Sequence, residues 1–464
     1  MAALPRFDTK MSDAEGLMWR VEKDPHLSST FANLTILDRS PDLDRLRRRM
    51  DRAMYAIPRL RQRVQPAPVN LRAPMWVDDP DFDLNFHVRH VALPKPGSMR
   101  QLLDLASLIA CDAHDRTRPL WQFVVVDGLK GGKSALIQKL HHTLFDGEAG
   151  VQLSMQYLDL ERDAPEPPPI DPDTIAAATE EAAAEPPNPD LMRDLLAGGF
   201  RLPLGLMRQM KDLLADPTSI PGASTALVDT VRSVVQQLGD TEAARSPLWK
   251  ERSLQRRVEV ARAPFGPTRD AARKLGGTLN TAFLAAAADA AGRYHRKKGE
   301  PVDQLRASMA ISTRTDDSGA NAFSLARLLV PTGEMTPAER FAAIKEGTQS
   351  VKGSSNTASL ETLAAVASAL PTSLVTRLAR QQAQTVDFAT SNVRGAPVPV
   401  YIAGAQLLEN YPIGPLGGVA FNLTLLSYNH SLDMGINIDS AAVADPPLLR
   451  RCLEAAFDDL IAAG

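Results

Sequence analysis

His141-His142-Thr143-Leu144-Phe145-Asp146-Gly147 sets two of the chain's eight histidines side by side. The run before them, Ser134-Ala135-Leu136-Ile137-Gln138-Lys139-Leu140, mixes alternation with β-branched character and reads as a strand. A helical segment follows, from Val151 to Leu158. The doublet therefore sits at a strand-to-loop junction, where a rigid element can hold a reactive side chain toward a cleft. Successive side chains on a strand alternate in direction, so the two histidines have different jobs: one faces the reaction and the other supports the fold.

A neutral imidazole, with a free pKa of about 6.5, accepts a proton at physiological pH, which fits His142 for a general base. What it activates has to be sought elsewhere. The chain has no GxSxG serine elbow and no CxxC, and Cys111 and Cys452 stand far apart. An external hydroxyl is then the attractive acceptor. Adjacent histidines are poorly placed to ligate one ion and HExxH is absent, so no metal site is expected. Asp146 has two open readings: it orients His142, or it pairs with a distant arginine, Arg314 or Arg394, to fix the loop that presents the base. Gly147 eases the turn into the next helix. Asp127-Gly128-Leu129-Lys130-Gly131-Gly132-Lys133-Ser134 superficially resembles a phosphate loop, but it lacks the first glycine and precedes a strand, so it reads as a turn.

At 464 residues and 44% hydrophobic, the chain can build more than one core. Its net charge of -3 gives no reason to expect a nucleic-acid partner. The basic run Arg45-Leu46-Arg47-Arg48-Arg49, set among Asp42, Asp44 and Asp51, reads as a solvated helix face. Met1 to Met11 lacks the apolar core of a secretion signal, and no apolar stretch is long enough to span a bilayer; a cytoplasmic protein, with peripheral membrane contact allowed, is the expectation. Strand candidates (Phe31 to Leu37, Trp121 to Val126) interleave with helix candidates (Asp42 to Ala56, Leu102 to Ala110), which argues for an α/β fold. Eight prolines between Pro165 and Pro189 mark a linker. Beyond it, stripes at Leu202, Leu206, Met210, Leu213 and Leu214 and at Leu227, Val231, Val234, Val235 and Leu238 cover the protein's own apolar surface or, on the rival reading, a membrane. The second half reads as an Ala-rich helix from Asn280 to Arg293, a helical region from Pro337, strands at Val398 to Ala403, Val419 to Tyr428 and Met434 to Ile438, and a closing helix from Pro447 to Leu460.

With its neighbours, the histidine motif resembles the bacterial wax ester synthase/acyl-CoA:diacylglycerol acyltransferase family, within the HHxxxDG CoA-dependent acyltransferases. The similarity extends over Phe82 to His90, Pro119-Leu120-Trp121, Ser391-Asn392-Val393-Arg394-Gly395, Leu407 to Pro415 and Phe421 to Tyr428. It implies two chloramphenicol-acetyltransferase-like α/β domains with mixed sheets and the active site at their interface. Residues 1–160 would be the first domain, 161–254 a proline-rich and helical crossover, and 255–464 the second. The resemblance makes His142 the base and His141, Asp146, Gly147, Asn280 and Arg314 its support. This chain departs from the family pattern with Thr281 in place of the Asp of an Asn-Asp pair, and with Ala310 and Arg394 where proline is usual.

The implied reaction moves a long-chain acyl group from acyl-CoA to diacylglycerol, with no metal and no tightly bound cofactor. A fatty alcohol acceptor, giving wax ester, is the alternative within enzyme chemistry. A noncatalytic lipid-binding or lipid-droplet scaffold is the alternative outside it.

Overall fold

The computed structural model describes residues 9–66, 74–144, 147–167, 244–312, 323–353, 364 and 372–464. Asp146, Arg314, the apolar stripes at 202–214 and 227–238 and most of the proline-rich linker lie outside the described residues. All the described residues except Thr9 belong to one unit, made of 10–168 and 242–464.

In the first half, α1 (Asp13–Val21) precedes β1 (Thr30–Leu37), and α2 (Leu43–Ala56) is followed by the short strands β2 (Gln62–Gln65) and β3 (Met75–Asp78). Next come α3 (Leu84–His87), β4 (Val88–Ala92), α4 (Met99–Cys111), β5 (Trp121–Leu129), β6 (Lys133–His141), α5 (Gly147–Tyr157) and β7 (Leu158–Asp159). The second half contains β8 (Arg256–Pro264), α6 (Phe265–Lys274), α7 (Leu279–Lys297), β9 (Gln304–Ser312), β10 (Phe323–Pro331) and α8 (Pro337–Gly353). It closes with α9 (Thr372–Ala383), β11 (Phe388–Arg394), β12 (Tyr401–Ile402), β13 (Ala405–Ile413), β14 (Phe421–Tyr428), β15 (Ser431–Asp439) and α10 (Pro446–Ala463).

Local chemistry explains the helix starts. Asp42 accepts the Arg45 N–H at 2.9 Å and opens α2, whose Leu46, Met50, Ala53 and Met54 are buried as the apolar spacing requires. Ser12 with Glu15, and Ser98 with Gln101, form capping boxes on α1 and α4. Helix α7 is buried along most of its length, and its alanines let neighbours approach closely. At Gly292 a Cβ would lie 2.0 Å from the Thr332 carbonyl oxygen.

Among the described residues, the strands form two mixed sheets, ordered β4-β5-β6-β1-β13-β12-β7 and β10-β9-β11-β14-β15-β8, and a small β2-β3 ribbon. β4 runs parallel to β5, and β11 runs parallel to both β9 and β14; the other pairings are antiparallel. The sheets do not follow the order of the chain. β12 and β13 come late in the sequence, yet β13 pairs with β1 (Ala32↔Ile413 to Leu37↔Leu407) inside the first sheet. β13 also touches the second sheet: the Asn410 N–H donates to Asp433 Oδ2 at 2.7 Å, and a Cβ on Gly435 of β15 would lie 2.0 Å from the Pro412 carbonyl oxygen. One strand thus stitches the two sheets together.

Two expectations are corrected. The arginines of α2 are only in part a solvated face: Arg48 is exposed, but Arg45 and Arg49 turn inward and each sit 2.9 Å from the Asp159 carboxylate, and Arg48 and Arg49 reach Glu166 at 3.1 and 3.0 Å. They clamp the chain leaving α5, and their partners are too remote in sequence for a local charge pattern to reveal them. The strand expected at Val398 to Ala403 shrinks to Tyr401–Ile402, because the chain turns at once through Ala403 (φ 45°) and Gly404 (φ 84°).

Candidate active site

β6 delivers the histidines. It pairs with β1 in the register Thr30↔His141 and Phe31↔Leu140, and with β5 in the register Trp121↔Leu140. The His142 N–H donates to the Ser29 carbonyl at 3.2 Å, one step beyond the ladder, and a turn closed by Leu144 N–H to His141 O at 2.9 Å ends the strand. The two side chains part as strand alternation requires. His141 turns toward α1 and His142 toward Phe31.

His141 is fully buried, and both its ring nitrogens are engaged. Nδ1 accepts the Thr143 backbone N–H at 3.1 Å, with the Thr143 hydroxyl 2.7 Å away. That acceptor role puts the proton on Nε2, which donates to the Glu22 carboxylate at the C-terminal cap of α1. Glu22 also accepts the Ser28 hydroxyl at 2.6 Å. Burial works to raise its pKa, but the bonds from His141 and Ser28 and the charge of Arg116 outweigh it and hold the carboxyl below its ordinary value.

His142 is different. Among the described residues neither ring nitrogen has a hydrogen-bond partner, and the ring packs on Phe31 with centroids 4.5 Å apart and planes at 34°. Burial, helped by neighbouring His141, pushes its pKa down to about 4, so the imidazole is neutral and open to a proton near neutral pH.

Around the pair lie further groups, of which His114 is one that local sequence gave no sign of. The His114 ring stands edge-on to His141 at 6.0 Å with Nε2 buried and unpartnered, and burial drives its pKa well below the usual value. Lys139 is buried, donates to the Asp112 carbonyl at 2.6 Å and is pushed down to about 8 by burial. Trp121 is buried with its Nε1–H donating to the Leu60 carbonyl at 2.7 Å, and His87 stacks on it at 4.5 Å. The blocks Phe82 to His90 and Pro119 to Trp121, separate in sequence, thus form one wall.

Of the remaining sequence-predicted residues, Gly147 opens α5, while Asp146 and Arg314 fall outside the described residues. Asn280 lies in the first turn of α7, where its Nδ2–H donates to Met309 Sδ at 3.1 Å. At Thr281, the departure from the family pattern, the backbone N–H donates to the hydroxyl of the N-cap Thr278 at 3.3 Å, as any residue's would, and the Thr281 hydroxyl lies 3.1 Å from that of Thr278. Arg394 is exposed at the end of β11. No group of metal-ligating side chains occurs among the described residues.

The model of the wax ester synthase/diacylglycerol acyltransferase catalytic domain matches residues 11–283, and that of the WS/DGAT C-terminal domain matches 319–461. A Mycobacterium tuberculosis H37Rv protein, provisionally named a diacylglycerol O-acyltransferase, is 33% identical over 99% of this chain and 93% of its own length. A second protein from that strain, with a similar name, is 28% identical over 96% and 94%. The wax ester synthase/diacylglycerol acyltransferase of Marinobacter aquaeolei VT8 shares the fold at a TM-score of 0.66 and 23% identity, covering 97% of this chain and 98% of that one. The starter condensation domain of rhizomide synthetase, at 12% identity, does so at 0.56, covering 97% and 94%. The mixed α/β fold is therefore the two-domain acyltransferase fold that the histidine motif implied, and the chain belongs to the wax ester synthase/diacylglycerol acyltransferase family.

Proposed function

We propose that this protein transfers a long-chain acyl group from acyl-CoA to diacylglycerol, with His142 as the general base. Membership of an acyltransferase family supports the reaction class. One observation carries the base assignment: His141 already uses both ring nitrogens, whereas His142 presents a neutral imidazole with neither nitrogen bonded among the described residues.

His142 takes the hydroxyl proton as the alcohol oxygen attacks the thioester carbonyl. The carbon–sulfur bond then breaks, the proton passes from the imidazolium to the departing sulfur, and ester and CoA leave. The negative charge that develops on the carbonyl oxygen needs donors. Asn280 and backbone N–H groups are the proposed suppliers, with Asp146, Gly147 and Arg314 in support. No step requires a metal or a bound cofactor. Because the acceptor partitions into lipid, we propose peripheral contact with a membrane or lipid-droplet surface from the cytoplasmic side. Among the described residues no helix is long and apolar enough to cross a membrane.

Thioester-release assays on the purified full chain with diacylglycerol and with hexadecanol, followed by identification of the ester, test this reading. Triacylglycerol is the expected product. Release with hexadecanol alone would make the protein a wax ester synthase, the other activity in the family's name. Lipid binding with no acyl-dependent CoA release would make it a scaffold.

A further inference from the structure

His141 is held by hydrogen bonds; His142 is held by packing. Its backbone is fixed through the N–H bond to the Ser29 carbonyl, and its ring lies against the phenyl ring of Phe31, two residues further along. Phe31 lies opposite Leu140 in the β1–β6 ladder, so its ring projects from the sheet face toward which His142 turns. β1, TFANLTIL, brings no charge to this face. The titratable groups next to the imidazole among the described residues are His141 and, behind it, Glu22.

Resting on the role proposed for His142, we infer that Phe31 is the positioning residue of the base: its ring sets the plane of the imidazole and excludes water from that side. Many proton-accepting histidines are oriented by a carboxylate on the second nitrogen. Among the described residues the carboxylate beside the pair, Glu22, is spent on the neighbouring histidine, and an aromatic face supplies the orienting contact. An imidazole held in this way has both nitrogens unbonded among the described residues, ready to take the proton, and the ring rotates with little resistance once Phe31 is gone. Loss of the ring therefore disorders the base and hydrates it together.

The test is the pH–rate profile of thioester release by Phe31→Ala, Phe31→Leu and His142→Ala in the full chain, with melting temperature followed in parallel. Phe31→Ala is expected to lose about 10- to 100-fold in kcat, in line with misplacement of a reacting group, with little change in KM for acyl-CoA. Its acid limb should move up toward the free imidazole value of about 6.5. Phe31→Leu, which retains apolar bulk, should show the same changes to a smaller degree, and it carries the comparison if Phe31→Ala does not fold. A folded Phe31→Ala or Phe31→Leu protein with wild-type kcat and an unmoved acid limb overturns the inference. A loss confined to KM also overturns it, since Phe31 would then be a substrate wall. Near-normal turnover by His142→Ala would instead sink the base assignment itself, a result separable from either Phe31 outcome.

Discussion

Glu22, at the end of the first helix, accepts the Nε2–H of His141, 119 residues further along the chain. That bond fixes the His141 tautomer and ties the strand carrying both histidines to α1. Glu22→Ala leaves a buried N–H with no acceptor, at a cost of about 1–3 kcal/mol, and it frees His141 to turn. The expected result is a lower melting temperature and a loss of thioester release of order 10- to 100-fold. Glu22→Gln keeps an acceptor and should fall between. Wild-type kcat in Glu22→Ala would contradict the link from Glu22 to the base.

Stability should climb with pH across the mildly acidic range. Burial lowers the pKa of His87 and His142 to about 4 and that of His114 well below normal. In the unfolded chain these groups titrate at about 6.5. Between those values the unfolded state binds more protons, so their contribution is complete above about pH 6.5 and is lost as pH falls toward 4. Melting temperatures measured from pH 4 to 7.5 should rise through that window and then level off; a flat profile would refute it.

The arginine clamp separates buried from exposed pairs. Arg49 and Asp159 are both nearly inaccessible and 2.9 Å apart, whereas Arg48 is exposed. Arg49→Ala strands a buried carboxylate, still partly compensated by Arg45, and should cost about 3 kcal/mol. Arg48→Ala should cost under about 1 kcal/mol. Chemical denaturation distinguishes them, and equal effects would contradict this account of the clamp.

Glycine substitutions test the stitching of the sheets. Gly435→Ala drives a methyl into the Pro412 carbonyl, so β15 and β13 must separate, and the protein should lose solubility or melt far below wild type. Gly266→Ala, in α6 with open space around it, should be neutral or slightly stabilising, by up to about 1 kcal/mol. Differential scanning fluorimetry of the pair provides the comparison.

Much of this was legible in sequence where the cause was local. The strand before the histidines, the helix capped by Asp42 and the Ala-rich helix from Asn280 appear as β6, α2 and α7 because periodicity and caps act within a few residues. β13, AQLLENYPI, was hidden: Glu409, Asn410 and Pro412 break the alternation, and the strand exists through β1 and the packing of β15. Glu22, Phe31 and the partners of the α2 arginines were hidden for the same reason. They meet their partners only after the chain has folded back from about a hundred residues away.

On the proposed mechanism His142 is the proton acceptor and His141 its support. The most direct measurement is acyl-CoA-dependent CoA release with diacylglycerol by folded His142→Ala. A fall of about 10²- to 10⁴-fold at unchanged melting behaviour is predicted, the range a positioned base contributes. Turnover close to wild type in that variant would contradict it.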